Sequence, residues 1–179
     1  VSCGLGGGVM YLDRCYRPRT MTGLDISTES VAACRRRYNE SRLRFEAGDA
    51  QAMPLADKSF DIVINVESSL NYPDFSAFLR EVDRVLKPGG TFLFADYRRS
   101  GKVPKLRQSL IDLGYNVEII TDITSGIVRG LELGLERKRQ LIDRHVALPL
   151  RGIVRSFAGL SRGRDEEREK FHAGVKGYL

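Results

Sequence analysis

The segment VSCGLGGG (1–8), followed after one short helical span by TGLDIS (22–27), restricts this chain more than any other part of it. Gly4, Gly6 and Gly8 are spaced G-x-G-x-G, so the backbone can take positive φ and admit a ligand with no Cβ in the way. Asp25 closes the next apolar run, where a carboxylate can accept from the two hydroxyls of a ribose. A glycine-rich turn feeding a helix, then a strand ending in an acid, is how a doubly wound sheet holds an adenosine-containing group.

The rest of the chain alternates between strand-like and helical periods, which argues for α/β architecture. Residues 20–26 read as a buried strand. Ser27 sits at the N-cap of a helix through Tyr38, with Val31, Cys34 and Tyr38 on one face. Residues 43–47 alternate like a strand and stop at Gly48-Asp49. FDIVINV (60–66) is a continuous apolar run of the kind found in central parallel strands. Asp74 begins a helix in which Phe75, Phe78, Leu79, Val82 and Leu86 repeat at helical spacing, closed by Lys87-Pro88-Gly89-Gly90. TFLFADY (91–97) reads as the next strand, Leu106 to Leu113 as a helix ending at Gly114, and VEII (117–120) as a further strand. Residues 125–148 and 148–160 carry two more helical patterns, followed by a highly charged link (161–170). The expectation is a Rossmann-like, doubly wound, mostly parallel sheet with helices on both faces. A helical insertion (125–170) would precede the last strand and cover an acceptor site.

A chain of 179 residues suits one domain with a sizeable core. With 42% hydrophobic and 29% charged residues it belongs to the ordinary globular class. No apolar run approaches the roughly 18 residues of a membrane span, and nothing at the start reads as a signal peptide. Cys3, Cys15 and Cys34 lack the paired spacing of a zinc site, so no metal is expected; free thiols suit a reducing cytoplasm. The net charge of +6 is uneven: 17 Lys/Arg face 10 Asp/Glu from Arg98 onward, against 12 and 13 before it. Val1 falls where a first strand would end, and VKGYL (175–179) stops inside another strand pattern. The chain therefore reads as one domain over 1–179, trimmed at both ends.

Four signals arrive in a fixed order: the glycine loop at 4–8, Asp25, Gly48-Asp49-Ala50, and LKPGGTF (86–92) entering a strand. Together they resemble the class I S-adenosylmethionine-dependent methyltransferases, and the resemblance runs from Val1 to about Arg98. The wording INVESSLNYPDFSAFLREVDRVLKPGG (64–90) is similar to the branch of phthiotriol dimycocerosate methyltransferases and related lipid, sugar and polyketide tailoring enzymes. The resemblance implies S-adenosylmethionine as cofactor and S-adenosylhomocysteine as product. It implies that Ser2, Cys3, Gly4 and Gly6 pass close to the methionine end, where a helix N-terminus favours the carboxylate. Asp25 would take the ribose hydroxyls, with Ile26 against the adenine face. Gly48-Asp49-Ala50 would frame the adenine, Asp49 accepting from its amino group. Asn65, Val66 and Glu67 would line the sulfonium.

Each piece also has a plainer reading. Loop glycines serve ordinary turns, Asp25 can be the charge at the start of the next helix, and Asp49 can be a turn residue beside Gly48.

Methyl transfer to a hydroxyl needs a base, since alkoxide is scarce near neutral pH. Many relatives carry a histidine just after strand 60–66, where this chain has Leu70. Asp96, at the end of strand 91–97, is the leading substitute, although an aspartate there is also a common cap or turn former. Glu67 and Tyr72 are weaker alternatives. His145 and His172 lie far along the chain and read as surface or half-buried side chains. Ile127, Val128, Leu131, Leu135, Leu141 and Ile142 fit a helix packed on the sheet or one wall of an apolar pocket. Arg137-Lys138-Arg139 reads as a solvated helix face, with contact to a membrane surface or polyanion as the sharper alternative. The expected acceptor is a hydroxyl on a hydrophobic lipid, glycolipid or polyketide-type molecule. Nucleic acid is disfavoured for want of an N-P-P-Y-type motif or an aromatic basic platform. A cofactor-binding module without turnover and an NAD-dependent dehydrogenase are the remaining readings; the G-D-A signal speaks against the dehydrogenase. Oligomeric state is not legible.

Overall fold

The computed structural model describes residues 1–98 and 100–157. The chain divides into two compact units, Val1–Tyr97 with Asp112–Gly114, and Arg98–Ile111 with the residues from Tyr115 onward.

The first unit contains α1 (Gly7–Tyr16), β1 (Met21–Asp25), α2 (Thr28–Arg37), β2 (Leu43–Ala47), β3 (Phe60–Val66), α3 (Phe75–Val85) and β4 (Leu86–Ala95). Strand β1 pairs with β2 in parallel, from Met21 opposite Leu43 to Asp25 opposite Ala47. Strand β3 pairs with β4 in parallel, from Ile62 opposite Thr91 to Val66 opposite Ala95. Residues 1–3 lie between these ladders: the Cys3 amide donates to Leu24 O at 2.9 Å, and the Val1 nitrogen donates to Ile64 O at 2.8 Å. The spatial order is therefore β2, β1, residues 1–3, β3, β4. The crossovers β1→β2 and β3→β4 run outward in opposite directions, and right-handed crossovers then put α2 and α3 on opposite faces. This is the expected doubly wound arrangement.

Local chemistry sets the element ends. Ser27 Oγ accepts from the Ser30 amide and starts α2, and Asp74 Oδ1 accepts from the Ala77 amide and starts α3. Helix α2 buries Val31 and Cys34 against Phe45, joined by Val9 of α1 and the partly buried Tyr38. Helix α3 buries Phe78, Leu79, Val82 and Val85, and the Phe78 ring meets Phe92 of β4 edge-on at 5.9 Å. Asp13 of α1 is buried and receives both arms of the Arg42 guanidinium, at 2.5 and 2.6 Å.

Two expectations need correction. Leu86 is not a member of the helix but its C-cap, and β4 begins there with Leu86 opposite Phe60, the ladder then shifting register before Ile62 meets Thr91. The Lys87-Pro88-Gly89-Gly90 stretch lies inside the strand as an irregularity. Gly89 takes φ +75°, and a Cβ on Gly90 would lie 2.9 Å from Lys87 O, so the sequence of a helix stop serves a bulge. Residues 117–120 form no strand: no backbone ladder reaches them among the described residues, and Ile119 and Ile120 are exposed.

The second unit contains α4 (Val103–Asp112, whose last residue is counted with the first unit), α5 (Thr124–His145) and α6 (Leu148–Phe157). Arg151 of α6 donates to Asp143 O and Val146 O and so satisfies carbonyls at the end of α5. Ile142 is buried, whereas Ile127, Leu131 and Leu141 are exposed. Among the described residues no helix is long and apolar enough to cross a membrane. The charged link, the end of the pattern at 148–160, His172 and the terminal strand pattern lie outside the described residues.

Candidate functional site

The expected site residues of the first unit collect at the C-terminal ends of the parallel strands and the start of α1, where open α/β sheets bind ligands. The glycine loop is built from residues in the left-handed region: Ser2 at φ +53°, Gly4 at +52° and Gly6 at +77°. Gly6 is the N-cap of α1, and its carbonyl accepts from the Met10 amide. A Cβ on Gly6 would lie 2.6 Å from the Tyr38 ring and 3.0 Å from Cys34 Sγ, whereas one on Gly4 would meet nothing within 4 Å. The two glycines therefore do different work. Gly6 lets α1 approach the core, and Gly4 leaves open backbone at the surface of the loop.

Two thiols lie under this loop. Cys34 Sγ donates to Gly4 O at 3.3 Å, and burial raises its pKa above the ordinary thiol value. Burial pushes the Cys3 thiol up to about 11. Both remain protonated at neutral pH and behave as small apolar groups with a weak donor.

Asp25 joins the loop to β1. Its Oδ2 accepts from the Gly4 amide at 2.7 Å and its Oδ1 from the Ser27 amide at 3.0 Å. Each carboxylate oxygen has a second lone pair, so the group can still accept from two hydroxyls. Ile26 beside it is 73% exposed. The Gly48 amide donates to Asp25 O at 2.9 Å, bringing the end of β2 next to the end of β1. A Cβ on Gly48 would collide with the Pro54 ring, so only glycine fits. Asp49 is half-buried; its Oδ1 accepts from the Gln51 amide and side chain, and Ala50 is buried.

A third group forms at the end of β3. Asn65 is fully buried, and its Nδ2 donates to Ser68 Oγ and to the Tyr72 hydroxyl, both at 2.8 Å. Tyr72 also lies 2.8 Å from Ser2 Oγ and 2.9 Å from Ser68 Oγ. Asp96 Oδ2 accepts from the Ser69 amide at 2.9 Å and from its hydroxyl at 2.5 Å, and Asp96 Oδ1 accepts from the Tyr97 amide. Val66 and Glu67 are exposed, with Glu67 at φ +51°, a conformation rarely taken by a non-glycine residue. Leu70 is 60% exposed. The structure thus groups Ser2 with Asn65 and Tyr72, and Gly4 with Asp25 and Gly48. His145 belongs to the second unit.

Sequence reading missed Ser68 and Ser69. Both are buried and tie the turn after β3 to Tyr72 and Asp96. Two adjacent serines straight after an apolar strand were the available signal, since hydroxyls there bond local backbone and neighbouring side chains.

The arrangement fits an adenosine-based cofactor on two observations: the open face of Gly4 beside the α1 N-terminus, and a half-buried Asp25 carboxylate with free acceptor capacity. These are the features expected of a nucleotide-type α/β binding domain. Residues 1–94 match the methyltransferase domain family, and the chain belongs to it. S-adenosylmethionine is the cofactor that this membership indicates.

Among relatives, a fatty-acid O-methyltransferase of Mycolicibacterium smegmatis is 43% identical over 94% of this chain and 62% of its own length. A phthiotriol/phenolphthiotriol dimycocerosates methyltransferase of Mycobacterium leprae is 39% identical over 89% and 59%. The chain thus spans about three fifths of these relatives. Among solved structures, the cyclase SpnF superposes with TM-score 0.61 at 26% identity, over 69% of this chain and 53% of that one. A SAM-dependent methyltransferase of Aquifex aeolicus superposes with TM-score 0.60 at 18% identity, over 68% and 72%, a likeness of fold alone.

Proposed function

We propose that this chain carries the cofactor-binding part of an S-adenosylmethionine-dependent methyltransferase that modifies an oxygen of a lipid-type acceptor. The observation that carries the reading is Asp25, fixed by the Gly4 and Ser27 amides at the end of β1. In this reading Asp25 holds the ribose hydroxyls, Gly4 and Ser2 adjoin the amino-acid end, and Gly48, Asp49 and Ala50 border the base beside Ile26. When bound, the cofactor supplies a methyl group on a positively charged sulfur. The chain's own task is to orient the partners in line, which in well-ordered systems contributes about 7–11 kcal/mol of the barrier. The relatives' names point to a hydrophobic small molecule as acceptor, and the three free thiols suit a cytoplasmic setting.

With a hydroxyl acceptor, Asp96 takes the proton, its orientation fixed by Ser69 and Tyr97. A second reading is favoured by Leu70, an exposed apolar side chain at the position where the family resemblance leads a histidine to be expected. A carboxylic acid acceptor is already ionised at neutral pH and needs no base. Asp96→Asn separates the two: turnover of an alcohol should fall at least tenfold while turnover of a fatty acid is retained. Equal retention of both would remove Asp96 as base.

Calorimetry tests the cofactor reading. S-adenosylhomocysteine should bind and NAD should not. Asp25→Ala should weaken the former about 10- to 100-fold, corresponding to about 1.5–3 kcal/mol for charged hydrogen bonds. Binding of NAD alone would overturn the reading.

A further inference from the structure

We propose that Ser68, Tyr72 and Ser2 form a one-way hydrogen-bond chain that leaves the Ser2 hydroxyl as a donor for an anionic group on the ligand. Tyr72 is the positioning residue of this chain. The proposal rests on the cofactor reading above and identifies the ligand group as the carboxylate of the amino-acid end.

Counting protons sets the direction. Asn65 spends both Nδ2 protons, one on Ser68 Oγ and one on the Tyr72 oxygen, each at 2.8 Å. Ser68 is 9% exposed, and among the described residues the other hydrogen-bond partner of its hydroxyl is the Tyr72 oxygen at 2.9 Å, so the Ser68 proton goes to Tyr72. Asn65 Oδ1 is buried and, among the described residues, has no hydrogen-bond partner within reach, so it is not an alternative destination. The Tyr72 oxygen then accepts twice, from Asn65 and Ser68, and is filled. Its own proton must go to Ser2 Oγ at 2.8 Å. Ser2 accepts that bond, and its hydroxyl proton is left over.

Backbone and packing agree with this assignment. Ser2 holds φ +53°, which costs a non-glycine residue about 1–2 kcal/mol. A glycine would relieve that strain, so the hydroxyl is the feature serine adds. The Tyr72 ring packs on Phe78 with centroids 4.8 Å apart, which fixes where its oxygen lies. Ser2 precedes the glycine loop and the N-terminus of α1, an end of the helix that favours negative charge.

Ser2→Gly and Tyr72→Phe, singly and together, test the chain on the protein as it stands. The probes are S-adenosylhomocysteine and methylthioadenosine, which keeps the nucleoside and lacks the amino-acid end. Each single variant should weaken S-adenosylhomocysteine about 5- to 20-fold, and the double variant no further, since both cut one chain. Methylthioadenosine should bind all of them as it binds the unmodified protein. Ser2→Gly should keep or raise the unfolding midpoint while losing affinity, a split that a purely structural serine would not produce. Unchanged S-adenosylhomocysteine affinity, additive losses, or equal loss of both probes would each overturn the proposal. Failure of the unmodified protein to bind either probe would instead overturn the cofactor reading.

Discussion

The methyl group of an alanine at Gly6 would enter the contact between Tyr38 and Cys34, while at Gly4 it would enter open space. Both positions hold positive φ, so both substitutions carry the left-handed penalty of about 1–2 kcal/mol. Gly6→Ala adds overpacking of about 1–3 kcal/mol. Urea unfolding should therefore show a clearly lower midpoint for Gly6→Ala than for Gly4→Ala, and equal midpoints would refute the packing role of Gly6. The G-x-G-x-G spacing marked Gly4 and Gly6 as loop residues with positive φ but also counted Gly8, which lies inside α1, and it could not distinguish the first two. What separates them is the pair of side chains, 28 and 32 positions further along, that one glycine faces. Asn65, Tyr72 and Asp96 were likewise visible as polar residues near strand ends. Their partners Ser68 and Ser69 stood in the sequence as two adjacent serines after a strand, but which groups they bond was decided only when the turn after β3 folded.

Helix α3 shows how one element can organise a neighbouring loop. Arg84 in its last turn donates to Met53 O, Leu55 O, Asp57 and Glu81. Glu81 in turn accepts from the Met53 amide at 2.6 Å, and the Arg84 hydrogen bonds hold its carboxyl below the usual range. The loop that follows Asp49 is thus fastened to the helix that packs on β4. Arg84→Met should cost about 2 kcal/mol, since several charge-assisted bonds are lost at a half-buried site. Amide exchange at Met53 to Asp57 should accelerate with it; unchanged protection there would show that the loop holds itself. The helix was legible from its apolar spacing and the Asp74 cap, because a 3.6-residue period survives in any surroundings. The start of β4 was not, because Lys-Pro-Gly-Gly carries the same local preferences in a helix stop and in a bulge. The ladder with β3 chose the bulge. VEII (117–120) failed for the complementary reason: β-branched residues favour a strand only where a neighbouring strand offers its backbone.

For the whole molecule, the ionised groups predict a loss of stability at acid pH and another at alkaline pH. Asp13, Asp61 and Glu81 are each held below their ordinary values, first by hydrogen bonds from Arg42, Lys87 and Arg84 respectively. The folded state takes up these protons less readily than the unfolded chain. The stability they confer is complete above the unfolded values of about 4 and is lost as pH falls through the folded ones. The exposed Lys87–Asp61 pair contributes least. Cys3 acts with the opposite sign. Its thiol is raised to about 11, so stability declines once pH rises past the unfolded value of about 8.5. Urea midpoints should fall as pH drops below about 4 and again as it rises past about 8.5. A midpoint that rises below pH 4 would contradict the assigned pairs.

By itself the sequence determined the alternation of strand and helix, the capping residues, the glycine loop with Asp25, and the family to which the chain belongs. These depend on short-range periodicity and on residues whose backbone or side chain suits a single local task. Tertiary structure alone decided which glycine packs and which lies open, where β4 begins, and in which direction protons run from Ser68 to Ser2. Those outcomes depend on atoms brought together across tens of residues, where steric contact and hydrogen-bond satisfaction select one partner from several that the local sequence permits equally.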